Sequence, residues 1–163
     1  MKNKLILVVF LITFKVGAQV SDLKHISFKK VNKNVRFHKG ESLKNILTLT
    51  HKLTDELQTK VEKFHVIYLW ICKNIDYDYE TYRRINLKRE TYKYNSEKFI
   101  KWNIDYRKTI FKQLLESKKT VFTEYAYLLQ KMDFIAGIEC MLINRYGRNS
   151  SIIIDEINYP NHT

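Results

Sequence analysis

Apolar residues recur at steps of three and four along much of the chain, which is the spacing of helices that bury one face. This spacing predicts a helix that begins near Thr59 and ends before the acidic and aromatic run Asp76–Tyr79. Its predicted apolar face consists of Phe64, Ile67, Trp70, Ile71 and Ile75. A shorter helix is predicted after Ser42, whose hydroxyl is suited to cap a helix N-terminus.

The second half of the chain has two more stretches with helical spacing. The first covers Ser96–Glu116. The second begins with Thr120 or Thr123 as the cap and ends at Gly137, since glycine readily adopts the left-handed conformation that stops a helix. Tyr125, Leu128, Leu129 and Met132 would form its buried stripe.

Two segments lack a clear period. Residues 19–41 mix Lys, Asn and His with isolated hydrophobic residues and are expected to be extended or loosely packed. Residues 79–95 alternate Tyr and Arg with little periodicity, which indicates a loop or an irregular helix.

After Gly137 the hydrophobic period changes from helical to two, which is typical of a strand. Residues 138–143 would form one strand, Tyr146–Ser150 a turn, and Ile152–Ile154 a second strand, so the pattern predicts a β-hairpin. The sequence therefore predicts an α+β fold in which a helical N-terminal part packs on a small antiparallel sheet. A length of 163 residues is sufficient for one such domain with a core.

The first residues have the layout of a secretory signal peptide. Met1–Lys4 is basic, Leu5–Phe14 is almost entirely apolar, and Val16–Ala18 supplies small residues before a cleavage point. The apolar run is too short to span a bilayer. We therefore expect residues 1–18 to be a signal peptide, 19–41 an N-terminal segment and 42–163 the folded domain. The mature chain would have no membrane span and would be exported, to the periplasm or the exterior of a bacterium.

The chain is strongly basic, with a net charge of +12. Removal of residues 1–18 takes away three lysines and no acid, which leaves +9. Between Tyr77 and Lys112 aromatic residues are interleaved with Lys and Arg, a pattern that can bind single-stranded nucleic acid or acidic glycans. A solvated face of a lysine-rich protein explains the same pattern, and an exported protein is not expected to meet nucleic acid.

The sequence contains few residues suited to metal or redox chemistry. His25, His38, His51 and His65 do not have the spacing of metal ligands, so no metal or other cofactor is expected. The two cysteines, Cys72 and Cys140, are each expected to be small buried hydrophobic residues rather than a disulfide pair.

Two blocks of sequence carry a specific signal. Residues 67–78 contain Trp-Ile, then Asn-Ile-x-Tyr-Asp, and residues 118–129 contain Val121, Phe122, Tyr125 and Ala126. In this order they resemble the transglutaminase-like superfamily, related in fold to papain-type cysteine proteases, and its bacterial domains of kyphoscoliosis-peptidase type. In that family the second block runs basic-basic-Gly-Val-Cys-acidic-Gly-Tyr-Ala, so Phe122 stands at the position of the nucleophilic cysteine.

The resemblance implies a degenerate and incomplete active site. Family chemistry requires a thiolate, an imidazole base and a group that orients the base. Phe122 cannot act as a nucleophile, and the neighbouring Thr123 has no evident base. His162, in Asn-His-Thr at the end of the sequence, matches the family's catalytic histidine, whereas the following Trp and acidic residue are absent. A terminal residue without a catalytic role is an equal interpretation of His162.

Three hypotheses follow from these features. The first is an exported, partial transglutaminase-like domain without catalysis, which binds a protein or peptide ligand through a vestigial cleft; Phe122 itself would fill a core position at the start of its helix. The second is a C-terminally truncated part of a longer protein of that family. The third is an unrelated basic helical protein that binds polyanions.

Overall fold

The computed structural model describes residues 27–143 and is mostly helical (73%). The predicted signal peptide, the second hairpin strand and His162 lie outside these residues. The described elements follow in chain order as α1 Lys29–Phe37, a 3₁₀ turn Leu43–Asn45, α2 Ile46–Thr54, α3 Lys60–Asn74, β1 Asp76–Tyr77, α4 Tyr79–Thr91, α5 Ser96–Ser117, β2 Lys119–Thr120 and α6 Phe122–Ile135. The α+β class is thus retained, with helices dominant.

Helix α3 is the centre of the core, and α1, α2 and α6 all pack on it. It begins where predicted, because Thr59 and Glu62 form a reciprocal capping box that satisfies its first N–H groups. Its buried face is made by Val66, Ile67, Trp70 and Ile71, whereas Phe64 is substantially exposed. The core is completed by side chains from the neighbouring helices, among them Val31, Val35, Leu49, Leu53, Leu114, Leu128 and Met132.

The prediction that residues 19–41 are extended was wrong for their second half, because Lys29–Phe37 form helix α1. Val31 and Val35 lie one helical turn apart and are fully buried against α3. Asn34 is buried beside them and donates to the Leu53 carbonyl at 3.2 Å. The buried positions Val31, Asn34 and Val35 have helical spacing, a signal that the mixed composition of the segment concealed.

Of the two interpretations of residues 79–95, a loop or an irregular helix, the helix is the closer one: Tyr79–Thr91 form helix α4, which is regular, and a turn follows it. Asp78 caps its N-terminus by accepting from the Thr81 N–H at 3.0 Å. Thr81 alone is buried, so the helix lies mostly in solvent and leaves no apolar stripe in the sequence.

The prediction of an antiparallel sheet was also wrong. The two described strands are parallel, with Asp76 paired to Lys119 and Tyr77 to Thr120. Parallel strands require a crossover connection, and here α4 and α5 supply it. Residues 138–143 do not form a strand, and the Gln130 side chain of α6 donates to the Cys140 carbonyl at 3.0 Å, which holds this segment against the helix.

At the ends of α6, the predicted N-terminal cap was wrong and the predicted stop at Gly137 is confirmed. Its N-cap is Val121, which offers no side-chain cap, so neither Thr120 nor Thr123 has the predicted role. Gly137 does end the helical region, with φ of +75°.

Within residues 27–143 none of the helices is long and apolar enough to cross a membrane.

Candidate functional site

The structure brings the two sequence blocks together. Strands β1 and β2, which end and begin the respective blocks, are joined by hydrogen bonds from Asp76 N–H to the Lys118 carbonyl at 2.8 Å and from Asp78 N–H to the Thr120 carbonyl at 2.9 Å. Tyr125 adds a side-chain link, since its hydroxyl donates to the Ile75 carbonyl at 3.1 Å. The start of α6 is therefore fixed beside the end of α3.

Trp70 and Asn74 of the first block have structural roles. Trp70 is fully buried, and its indole N–H donates to the His38 carbonyl at 2.7 Å. The Asn74 side chain accepts from the Gly40 N–H at 2.7 Å and donates to the Trp70 carbonyl at 2.8 Å. Gly40 has φ of +78°, a conformation that glycine adopts without strain. These bonds fasten the loop after α1 to the end of α3.

Asp78, the last residue of the first block, organises the helices that flank the strands. Its carboxylate accepts from the Thr81 N–H and hydroxyl and from Gln113 of α5 at 3.1 Å. Burial alone would raise the pKa of Asp78, but the hydrogen bonds from Thr81 hold it below its usual value. The carboxylate is therefore ionised, and its oxygens accept hydrogen bonds from within the protein.

Phe122 is the first residue of α6 and is 45% exposed, so the prediction that it fills a core position was wrong. Its ring lies 5.3 Å from the Tyr77 ring centroid and 6.2 Å from that of Tyr82. Tyr79 packs on Tyr77 at 4.8 Å. We call Tyr77, Tyr79, Tyr82 and Phe122 the aromatic cluster; its outer members Tyr79 and Tyr82 are 74% and 42% exposed.

The aromatic cluster is an apolar surface rather than a centre for acid–base chemistry. Burial, with the neighbouring Tyr82 and Tyr79, raises the pKa of Tyr77 to about 12, so its phenol stays neutral at physiological pH. A shallow groove of about 430 Å³ starts at Tyr79 and Tyr82 and runs along the outer face of α4 to Leu87. Exposed rings beside a groove are suited to contact a partner.

The described residues do not bring together the nucleophile and base that the resemblance implies. The resemblance aligns Phe122 with the nucleophile, and the candidate base His162 lies outside residues 27–143. Both cysteines are free thiols, but Cys72 is exposed on α3, so the expectation that it is buried was wrong; Cys140 is half-buried after α6. No group of three or more His, Cys, Asp or Glu side chains within residues 27–143 is placed to hold a metal ion.

Two buried carboxyl groups on α6 were missed from the sequence. Asp133 is fully buried, and burial raises its pKa to about 6, an effect that the nearby Cys140 thiol partly offsets. Glu124 is 2% exposed, with one oxygen 3.6 Å from Arg107. Burial raises the pKa of Glu124 as well, against the lowering effect of Arg107. Both residues lie among apolar positions of an apparent core helix, where sequence gives no sign of a carboxylate facing inward.

The basic and aromatic segment between Tyr77 and Lys112 folds into α4 and α5, and several of its cations lie over its own rings. The pairs, 5.6–5.8 Å from cation to ring centroid, are Arg84 with Tyr106, Lys88 with Tyr92 and Arg89 with Phe99. These contacts engage one face of each ring within the protein. The interleaved pattern is thus explained in part by packing between the two helices.

Comparison of this chain with protein-family models, with curated proteins and with solved structures finds no match. The transglutaminase-like resemblance therefore depends on the two blocks of sequence alone.

Proposed function

We propose that this chain is an exported, non-catalytic domain of transglutaminase-like type that binds a protein or peptide ligand through the aromatic cluster. One observation carries the proposal: Phe122 stands at the start of α6, where the family places its cysteine, and presents an exposed ring beside Tyr77 and Tyr82. A ring at that point cannot attack a carbonyl, but it offers apolar contact area.

The arrangement of the two blocks supports the family part of the proposal. The β1–β2 pairing and the Tyr125 bond to Ile75 place the end of the Trp70 helix beside the start of the helix that begins at Phe122. Trp70, Asn74 and Asp78 then hold the surrounding loops. Export is the part of the proposal that rests on the signal-peptide pattern of residues 1–18 alone.

Peptide selection against the immobilised domain tests the binding part. Phage-displayed peptides that bind the wild type should lose most of their affinity for Phe122→Ala, because truncation of an aromatic anchor typically removes a factor of about 30 or more. Phe37→Ala is the matched control, since Phe37 is 81% exposed and its ring packs on His38 rather than on the aromatic cluster.

Peptides that bind Phe122→Ala and the wild type equally would refute the role of the aromatic cluster. Thermal unfolding of both variants shows that each is folded before binding is compared. The domain should also have no transamidase or peptidase activity that iodoacetamide abolishes, and such an activity would refute the non-catalytic assignment.

A further inference from the structure

A second concave surface lies between α5 and α6, and we call it the α5–α6 groove. Its volume is about 800 Å³. Its apolar lining consists of Ile104 and Phe111 from α5, Tyr127 and Phe134 from α6, and Cys140 from the segment after α6. Ile104 and Phe134 are 54% and 81% exposed. Large apolar side chains grouped in one exposed depression are typical of a surface that another part of a protein covers.

The chain itself leads to the edge of this groove. Gln130 of α6 donates to the Cys140 carbonyl at 3.0 Å, and Cys140 lines the groove. The described residues end three positions later, at Ile143. Residues 144–163 are therefore tethered beside the groove, and a short tether gives an effective concentration on the order of 1 mM.

The tethered residues include an apolar run that is within reach of the whole groove. Ile152–Ile154 follow Ile143 after eight intervening residues. An extended chain of that length reaches roughly 30 Å, whereas α6 rises only about 15 Å between Glu124 and Phe134. The turn residues Tyr146–Ser150 favour a reversal of the chain, which directs the isoleucines back toward Cys140.

The charges of the tethered residues match those of the groove. Lys108 on the α5 wall and Lys131 on the α6 wall are both exposed, and Lys108 has a 4.0 Å contact to Asp105. Asp155 and Glu156 directly follow the isoleucines. Because successive side chains of an extended chain point to opposite sides, the two carboxylates are suited to face one lysine on each wall.

We propose that the segment Ile152–Glu156 of this same chain occupies the α5–α6 groove. Its isoleucines cover the apolar lining, and its two acids face Lys108 and Lys131. Tethering favours this occupant over a second copy of the chain, which at micromolar protein is about a thousandfold more dilute. The proposal depends on neither the aromatic cluster nor the family assignment.

Thiol labelling in the full-length chain tests the proposal. Phe134→Cys places a thiol in the groove, and Phe37→Cys is the matched control, since each phenylalanine is 81% exposed and lies in the last turn of its helix. A segment that binds with a Kd of about 0.1 mM at an effective concentration of about 1 mM leaves about one groove in ten open. We therefore expect iodoacetamide, followed by peptide mass spectrometry, to label Phe134→Cys about tenfold more slowly than Phe37→Cys.

Changes in the segment should remove this protection. With Ile152→Ser, Ile153→Ser and Ile154→Ser added, the two thiols should react at similar rates, whereas Asn158→Asp, beyond the segment, should leave the protection in place. Equal labelling of the two thiols in the chain with its isoleucines would overturn the proposal, as would protection that survives the three serines. Protection that falls on dilution would assign the groove to a second copy and would also overturn it.

Charge reversal tests the pairing with the two walls. Asp155→Lys with Glu156→Lys should speed labelling of Phe134→Cys several-fold, as expected for the loss of two partly solvated ion pairs. Lys108→Glu with Lys131→Glu in the same chain should restore the slow rate. Labelling that stays fast after this second reversal would overturn the placement of the segment between the two lysines.

Discussion

Asp133 is buried, and its protonation should change the free energy of unfolding with pH. The side chain is fully buried, and the weakly polar Cys140 thiol beside it offsets the effect of this burial only in part. Its pKa is about 6 in the fold, against 3.8 for a free group. Between these values the folded state binds more protons than the unfolded state, so the free energy of unfolding falls as pH rises.

The magnitude follows from the size of the shift. A difference of about two pH units, at about 1.4 kcal/mol per unit, sets an upper limit of about 3 kcal/mol for this loss. The loss should be absent below about pH 4, develop through pH 6 and stay constant above it. Asp133→Asn removes the titration while keeping nearly the same shape.

Urea unfolding followed by tryptophan fluorescence between about pH 3.5 and 8 measures the effect. We expect the stability of Asp133→Asn relative to the wild type to rise by up to about 3 kcal/mol from pH 4 to 6.5. A constant offset would report only the burial of the amide. Asp105→Asn, which removes an exposed carboxylate, is the control for loss of one charge. A wild-type-to-variant difference that does not change with pH would refute the reasoning.

Two further predictions concern individual hydrogen bonds. Tyr125→Phe should lower the free energy of unfolding by about 1 kcal/mol, because it removes the hydroxyl that donates to the Ile75 carbonyl; Tyr94→Phe, at a fully exposed ring, should change it little. Thr59→Ala should cost about 1 kcal/mol, since it breaks the capping box with Glu62. Both are measured by urea unfolding, and an effect near zero for either would show that the bond is replaced by water at no cost.

The parts of the fold that could be predicted are those with strong local signals. The helix around Trp70 has both an apolar face and a capping box, and Gly137 marks the end of α6 through its backbone conformation. Helix α1 was overlooked although Val31 and Val35 are four residues apart, because the lysines and asparagines around them suggested a loosely packed segment. Parallel pairing of β1 and β2 was likewise hidden, since two-residue strands leave no alternating pattern.

The environment of Phe122 was predicted wrongly. The two blocks lie side by side in the fold, but the phenyl ring was expected inside the protein and is instead 45% exposed. Side-chain type indicates a preference for burial, whereas the actual exposure depends on which elements cover the start of α6. The buried oxygens of Glu124 and Asp133 are a consequence of helix orientation, which no local pattern encodes.

The central claim is that Phe122 occupies an inherited nucleophile position, and Phe122→Cys tests it most directly. A thiol at the start of α6 would lie at the positive end of the helix dipole, which lowers its pKa and raises the thiolate fraction. Exposed Cys72 and half-buried Cys140 are internal references in the same molecule. At neutral pH we predict that iodoacetamide, followed by peptide mass spectrometry, labels the introduced thiol several-fold faster than Cys72; labelling no faster than Cys72 would contradict the account.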